Sequence, residues 1–214
     1  MPPPQTNGVV IEVRENGPYL VRNLERLLNS RGESIATRDV IALCRCGGSA
    51  NRPFCDKTHA SNGFSGENQS DGSKDRRVAY VGKNVTVHDN RSICSHAGLC
   101  TDSLASVFRS KAKPWIDPDG AEASAVIEAV RRCPSGALSS STGGVEERDD
   151  SPEPIITVSK DGPYYVTGGI QLAGASWDAE GPRERYALCR CGGSRNKPFC
   201  DGTHWSIGFT DDRN

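Results

Sequence analysis

The sequence contains no run of about 18 consecutive apolar residues, so no membrane-spanning helix is expected. Lys plus Arg number 26 and Asp plus Glu 27, a net charge of −1, with no basic stripe interleaved with aromatics. The electrostatic footprint of a nucleic-acid binder is therefore missing. The opening Met1-Pro2-Pro3-Pro4-Gln5-Thr6-Asn7 has neither a basic region nor an apolar stretch, and no secretory leader is expected. No nucleophile–base pair, phosphate-binding loop or paired catalytic carboxylate stands out, so enzymatic activity of the chain itself is not expected. Hydrophobic residues make up 35%, alongside 23 Gly and 13 Pro. That composition predicts several small modules in place of one large core, and modules of that size need a metal or another staple.

What the chain does have is cysteine in groups. Its nine cysteines form three local triplets, Cys44/Cys46/Cys55, Cys94/Cys100/Cys133 and Cys189/Cys191/Cys200, with none left over. Odd triplets suit ligand sets better than disulfides, and a reducing, cytoplasmic setting is the simplest expectation. Two triplets are copies of one segment. Cys44-Arg-Cys46-Gly-Gly-Ser49 through Pro53-Phe54-Cys55-Asp56-Lys57-Thr58-His59 recurs as Cys189-Arg-Cys191-Gly-Gly-Ser194 through Pro198-Phe199-Cys200-Asp201-Gly202-Thr203-His204, an offset of 145. Each copy offers three thiolates and one imidazole, a full set of ligands for a metal or a small iron–sulfur cluster. Loss of the metal should then cost the fold.

The repeat runs upstream without a gap, Ile11 to Val21 aligning with Ile156 to Val166. Alternating apolar residues around Asn16-Gly17-Pro18 and Asp161-Gly162-Pro163 predict a β-hairpin in each copy. Leu24 to Arg31 reads as mildly helical or irregular, Gly168 to Ala175 as small and Gly-rich, and Ala42-Leu43 and Ala187-Leu188 as strands leading into the first two ligands. Polar stretches mark the seams. The expected layout is a first domain over residues 1–66, a linker over 67–75, a middle domain over 76–138, a linker over 139–151 and a second copy over 152–214. In the middle domain, Val78 to Val81 and Val85 to Val87 predict a hairpin closed near Gly82-Lys83-Asn84. Leu104, Val107 and Phe108 predict a short amphipathic helix. Asp119 as N-cap with Glu122 as its capping-box partner predicts a second, stopped by Pro134. His88 is expected to be exposed, and Trp115 to be a packing residue.

Cysteines at i and i+2 on an extended segment point the same way, so both sulfurs can hold one metal from one edge. Gly47-Gly48 and Gly192-Gly193 let the backbone turn tightly, and Asp56 and Asp201 are placed to cap a short helix carrying the histidine. A Cys3His set also fits structural zinc, although zinc cysteines are more often two to four residues apart.

The pattern Cys-x-Cys-x2-Ser-x3-Pro-x-Cys-Asp-(Gly)-Thr-His resembles that of the CDGSH iron–sulfur domain family, to which mitoNEET belongs, over nearly all of both copies. The resemblance implies one [2Fe-2S] cluster on Cys44, Cys46, Cys55 and His59 and a second on Cys189, Cys191, Cys200 and His204. It also implies two β-rich domains forming an intrachain pseudo-dimer, in a chain otherwise monomeric. Lys57 departs from the family's Gly, which Gly202 keeps; as 57 is not a ligand position, binding is expected to survive, and the side chain is read as solvated surface. The middle domain resembles the divergent single-cluster ferredoxin domain, through Cys94-x-His96-x3-Cys100, Lys113-Pro114-Trp115-Ile116-Asp117-Pro118 and Cys133-Pro134-Ser135-Gly136. Ala97 stands where an ordinary ferredoxin run has a cysteine. Cys94, Cys100 and Cys133 thus imply either a [3Fe-4S] cluster or a [4Fe-4S] cluster with a non-cysteine ligand; His96 is either that ligand or a hydrogen-bond donor to the cluster.

The fold class expected from these parts is α+β, metal-stapled small domains with a ferredoxin-like unit in the middle. The leading function is one-electron transfer, the histidine raising the potential above that of an all-cysteine [2Fe-2S] centre, as in Rieske sites. His59 and His204 are placed to couple electron transfer to protonation, and acid should labilise their clusters. The rival readings are cluster storage and transfer to apo-proteins, and a zinc scaffold. The partner expected is a redox protein or an apo iron–sulfur acceptor.

Overall fold

The computed structural model describes residues 8–148, 153–175 and 184–214. The first copy contains β1 (Val10–Val13), β2 (Tyr19–Arg22), β3 (Arg26–Leu28), β4 (Ser34–Ile35) and β5 (Val40–Leu43). The middle unit follows with β6 (Arg77–Val81), β7 (Thr86–Asn90), α1 (Leu99–Ser103), α2 (Ala123–Arg131), β8 (Leu138–Thr142) and β9 (Val145–Glu146). The second copy holds β10 (Ile155–Val158), β11 (Tyr164–Thr167), β12 (Gln171–Ala173), β13 (Tyr186–Leu188) and α3 (Thr203–Ser206). The described chain is β-rich with few helices, and none of its helices is long and apolar enough to cross a membrane.

Both hairpins close at the expected Asn/Asp-Gly-Pro turns, and β5 and β13 lead into the ligands. The segment after each hairpin behaves differently from its sequence. Instead of irregular chain, β3 crosses over and pairs in parallel with β10 of the second copy, Leu27 opposite Ile156. Its counterpart β12 crosses back to pair in parallel with β1, Leu172 opposite Ile11. The sheets are therefore β12-β1-β2-β5 and β13-β11-β10-β3-β4, each holding a strand from the other copy. Three-residue strands carry too little periodicity to declare themselves, and only the distant partner makes them strands. The exchange also merges the cores. Ile11, Tyr19, Val21 and Leu27 bury together with Ile156, Tyr164, Val166 and Leu188, so the two copies share one apolar interior. Burial at roughly 25 cal/mol per Å² of apolar surface then stabilises both copies at once.

The middle unit has a core of its own, built from Val85, Val87, Phe108, Ile116, Val126, Val130 and Leu138 under the antiparallel sheet β6-β7-β8-β9. The β6–β7 hairpin closes as expected, Gly82 N–H donating to Val85 O. The predicted helix over Leu104–Phe108 is not formed: α1 ends at Ser103, and Phe108 bridges to Ile116 while Asp117 N–H donates to Val107 O. The apolar spacing there serves a pairing across the loop. Asp119 does not cap α2. Its Oδ1 accepts from Lys83 N–H of the β6–β7 turn, and Glu122 begins the helix without a side-chain cap. Much of the linker expected over 139–151 belongs to this sheet, in β8 and β9. The rest of that linker, 149–151, and the opening residues 1–7 lie outside the described residues. His88 is half-buried, its Nε2 3.0 Å from Ser141 Oγ, because a serine-rich strand shelters it.

Candidate metal centres

In each copy the ligands come in pairs. Cys44 Sγ and Cys46 Sγ are 3.9 Å apart at the end of β5, and Cys55 Sγ and His59 Nδ1 are 3.4 Å apart across the short 3-10 turn Thr58–Ala60. The second copy repeats this, with Cys189 Sγ and Cys191 Sγ 3.8 Å apart and Cys200 Sγ and His204 Nδ1 3.4 Å apart. Two ligands on one tetrahedral ion, at bond lengths of about 2.0–2.3 Å, lie roughly 3.5–3.8 Å from each other. Each pair therefore suits one metal ion. Among the described residues, no group of three or more His, Cys, Asp or Glu side chains converges on a single ion.

The loops are held by the invariant-looking letters of the repeat for visible reasons. Ser49 Oγ donates to Phe54 O and accepts from Asn51 N–H, and Ser194 does the same with Phe199 and Asn196. Asp56 accepts from Thr58 N–H and Ala50 N–H, and Asp201 from Thr203 N–H and Arg195 N–H, so each carboxylate ties the two halves of the ligand loop; the N-cap positions expected of them are taken by Lys57 and Gly202. The loops of the two copies touch. A Cβ on Gly47 would come within 2.5 Å of Cys191 O, and one on Gly192 within 2.6 Å of Cys46 O. Tyr19 Oη donates to Cys189 O and Pro198 O, and Tyr164 Oη to Cys44 O and Pro53 O, each tyrosine bracing the other copy's ligand loop. Sequence reading missed both tyrosines, whose signal was only that each stands at the same place in a repeated hairpin. Burial pushes the Cys44 thiol up to about 11 and raises Cys200 as well. These sulfurs become thiolates at neutral pH only when a cation repays the cost of burying their charge. The donor set fits an iron–sulfur centre in each copy.

In the middle unit, Cys94, Cys100 and Cys133 line one open-sided cavity. Cys133 arrives from the end of α2 as expected, and Trp115, expected only to pack, also forms part of the wall. His96 does not. Its backbone is left-handed, φ 55°, it is exposed, and its ring lies against the second copy: a Cβ on Gly202 would come within 3.0 Å of His96 Cδ2. Asn196 Nδ2 donates to Ser92 O at 2.6 Å and Arg185 Nη1 to Cys133 O at 3.1 Å across the same junction. The middle unit is thus seated on the second copy's ligand loop, and His96 is a contact of that seating.

The family model described as iron-binding zinc finger, CDGSH type, matches residues 16–60 and again 161–205, and the model described as divergent 4Fe-4S mono-cluster matches residues 80–143 between them. The chain belongs to the CDGSH iron–sulfur family. It carries two CDGSH units with a divergent 4Fe-4S unit between them. Uncharacterized protein YjdI of Escherichia coli strain K12 is 41% identical over 59 residues, 28% of this chain and 78% of YjdI, and YjdI of strain O157:H7 matches to the same extent. No solved structure matches. The two CDGSH units differ in cover: His204 is 4% exposed and Cys200 2%, whereas Cys55 and His59 are half-buried. Lys57 is exposed, as expected of a solvated side chain.

Proposed function

We propose that the chain is a one-electron carrier holding a [2Fe-2S] centre on each CDGSH unit and a [3Fe-4S] or [4Fe-4S] centre in a ferredoxin-like middle unit. The paired donors support two irons with two protein ligands each, and the reciprocal exchange of β3 and β12 supports an intrachain pseudo-dimer. An iron–sulfur centre supplies a one-electron couple when bound, so the chain's own task is to hold its centres at the right distance and exposure. One observation carries the reading: His96, two residues from Cys94, rests on Gly202, two residues from Cys200. Short lengths of chain and one side-chain contact therefore separate the middle centre from the second CDGSH centre, as tunnelling between them requires.

Electron paramagnetic resonance of the fully reduced, anaerobically loaded chain tests this. Spin–spin broadening between the second CDGSH signal and the middle signal is expected in the wild type and is expected to vanish in Gly202→Lys, whose side chain displaces His96. Unbroadened signals in the wild type would remove the carrier reading. The half-exposed Cys55 and His59 favour a second reading for the first CDGSH unit alone, donation of its cluster to an apo-protein acceptor.

A further inference from the structure

Three thiolates leave one corner of a four-iron cluster without a protein ligand, and the cavity wall that carries Cys94, Cys100 and Cys133 holds a single carboxylate, that of Asp89. Asp89 sits on β7 between Val87 and the strand's end, facing inward with 5% of its surface exposed. Its two oxygens are treated unequally. Oδ2 accepts from Trp115 Nε1 at 3.2 Å and lies 3.3 Å from Arg91 Nε, whereas Oδ1 is buried without any hydrogen-bond partner. An unpartnered buried carboxylate oxygen costs several kcal/mol of lost solvation in general, and such atoms call for an unseen partner, an ion included. The other side-chain oxygens on the wall are hydroxyls: Ser135 Oγ is 3.7 Å from Cys133 Sγ, and Ser95 Oγ, also buried without a hydrogen-bond partner, lies at the junction with the second CDGSH unit, against Tyr165; a neutral hydroxyl is a weaker donor to iron than a carboxylate. Arg91 and Trp115 are donors only and cannot ligate.

We propose that Asp89 Oδ1 is the fourth protein ligand of the middle centre, making it a [4Fe-4S] cluster held by three cysteines and one aspartate. Carboxylate oxygen is an ordinary ligand for iron, and the contacts of Trp115 and Arg91 with Oδ2 fix the carboxylate's rotation and leave Oδ1 free to ligate, as partners of metal ligands commonly do. Arg91 also approaches Cys94 Sγ at 3.6 Å, so the same guanidinium offsets charge on two ligands. The sequence carried a signal: Val85, Val87 and Asp89 alternate onto one face, and an aspartate on the buried face of a strand needs a reason.

The inference rests on the iron–sulfur reading of the middle unit, and the test separates the two. Iron, sulfide and the resonance spectrum of the oxidised, anaerobically loaded full-length chain are measured for wild type, Asp89→Asn, Asp89→Cys and His96→Ala. Oxidised [2Fe-2S] and [4Fe-4S] centres are silent, whereas oxidised [3Fe-4S] has a half-integer spin, so the oxidised spectrum reads the middle centre alone. Wild type is expected to be silent with about eight irons per chain. Asp89→Asn is expected to drop to about seven and to show the three-iron signal, with Asp89→Cys and His96→Ala silent at about eight. A three-iron signal in wild type overturns the proposal, and that measurement stands even where Asp89→Asn does not fold. So does a silent Asp89→Asn with unchanged iron, or a three-iron signal on His96→Ala with Asp89→Asn silent. Wild type with only about four irons would overturn the reading of the middle unit itself, and Asp89's role with it.

Discussion

Arg45 and Arg190 occupy the same place in the two CDGSH units, each between the cysteines of its Cys-x-Cys pair, and only one of them meets a carboxylate. Both are buried, 3% and 1% exposed, and both stack on the same aromatic pair, Tyr19 and Phe64 for Arg45, Tyr164 and Phe209 for Arg190. Arg45 donates to the carbonyls of Arg14 and Gly66, and its Nε has no partner. Arg190 donates to the carbonyls of Gly162 and Ser159 and forms a buried ion pair with Asp211, the residue that answers to Gly66. The first unit's Arg52 reaches the same carboxylate, its Nε 3.5 Å from Asp211 Oδ1. Together with the middle unit seated on Gly202, this gives the second CDGSH unit a braced, covered centre and leaves the first with an open one. One fold repeated in one chain thus makes two environments.

Removing the brace should have the largest effect. Asp211→Asn leaves the Arg190 guanidinium buried without its counter-charge and is expected to cost about 3–5 kcal/mol, read as a lowered urea midpoint of the loaded chain. Arg45→Met removes only hydrogen bonds to carbonyls and should cost about 1–2 kcal/mol. Equal losses would mean that the ion pair is not what separates the units. The pH dependence follows from the same group. Burial raises the Asp211 carboxyl, but the hydrogen bond and charge of Arg190 outweigh it and hold the folded value below the ordinary one. A depressed folded pKa contributes stability above the unfolded value, about 3.9, and loses it as pH falls through the folded value. Wild type should therefore lose stability more steeply than Asp211→Asn below about pH 4.

Next in size is the crossed bracing. Tyr19→Phe strips hydrogen bonds from the carbonyls of Cys189 and Pro198, at a cost of about 1–3 kcal/mol, and the damage should fall on the second CDGSH unit. In a chain whose first centre is removed by Cys55→Ser, Tyr19→Phe is expected to speed the decay of the remaining visible absorption. Tyr164→Phe should do the same to the first centre. Faster decay of the centre in the mutated residue's own unit, with the other unaffected, would show that the exchange does not carry the support.

The parts of this arrangement that depend on near neighbours were legible in the sequence. The hairpins at Asn16-Gly17-Pro18 and Asp161-Gly162-Pro163, the β6–β7 turn and the pairs Cys44/Cys46 and Cys55/His59 all lie where spacing and turn chemistry put them. What failed depended on partners far along the chain. Arg26–Leu28 is a strand because Ile156 waits opposite, Val107 is not helical because Asp117 N–H claims its carbonyl, and Asp119 is lost as a cap because Lys83 N–H claims its carboxylate. His96 illustrates the same limit at the site. Its place between two cysteines suggests a ligand, and only the seating of one unit on another shows what its ring touches.

The smallest expected effect belongs to the one letter at which the two ligand loops depart from each other's family pattern. Lys57 and Gly202 share a left-handed backbone, φ 73° and 84°. For Lys57 that conformation is strained, and its side chain is exposed. At Gly202 even a Cβ is refused by His96. Lys57→Gly should relieve roughly 1–2 kcal/mol of left-handed strain while adding about 0.5–1 kcal/mol of unfolded-state entropy, a net gain of at most about 1.5 kcal/mol in thermal melts. The midpoint potential of the first centre should not move, because an exposed ammonium is screened by solvent and salt. A shift in that midpoint would make Lys57 a tuning residue, and the open face of the first CDGSH unit would then differ from the covered one in electrostatics as well as in access.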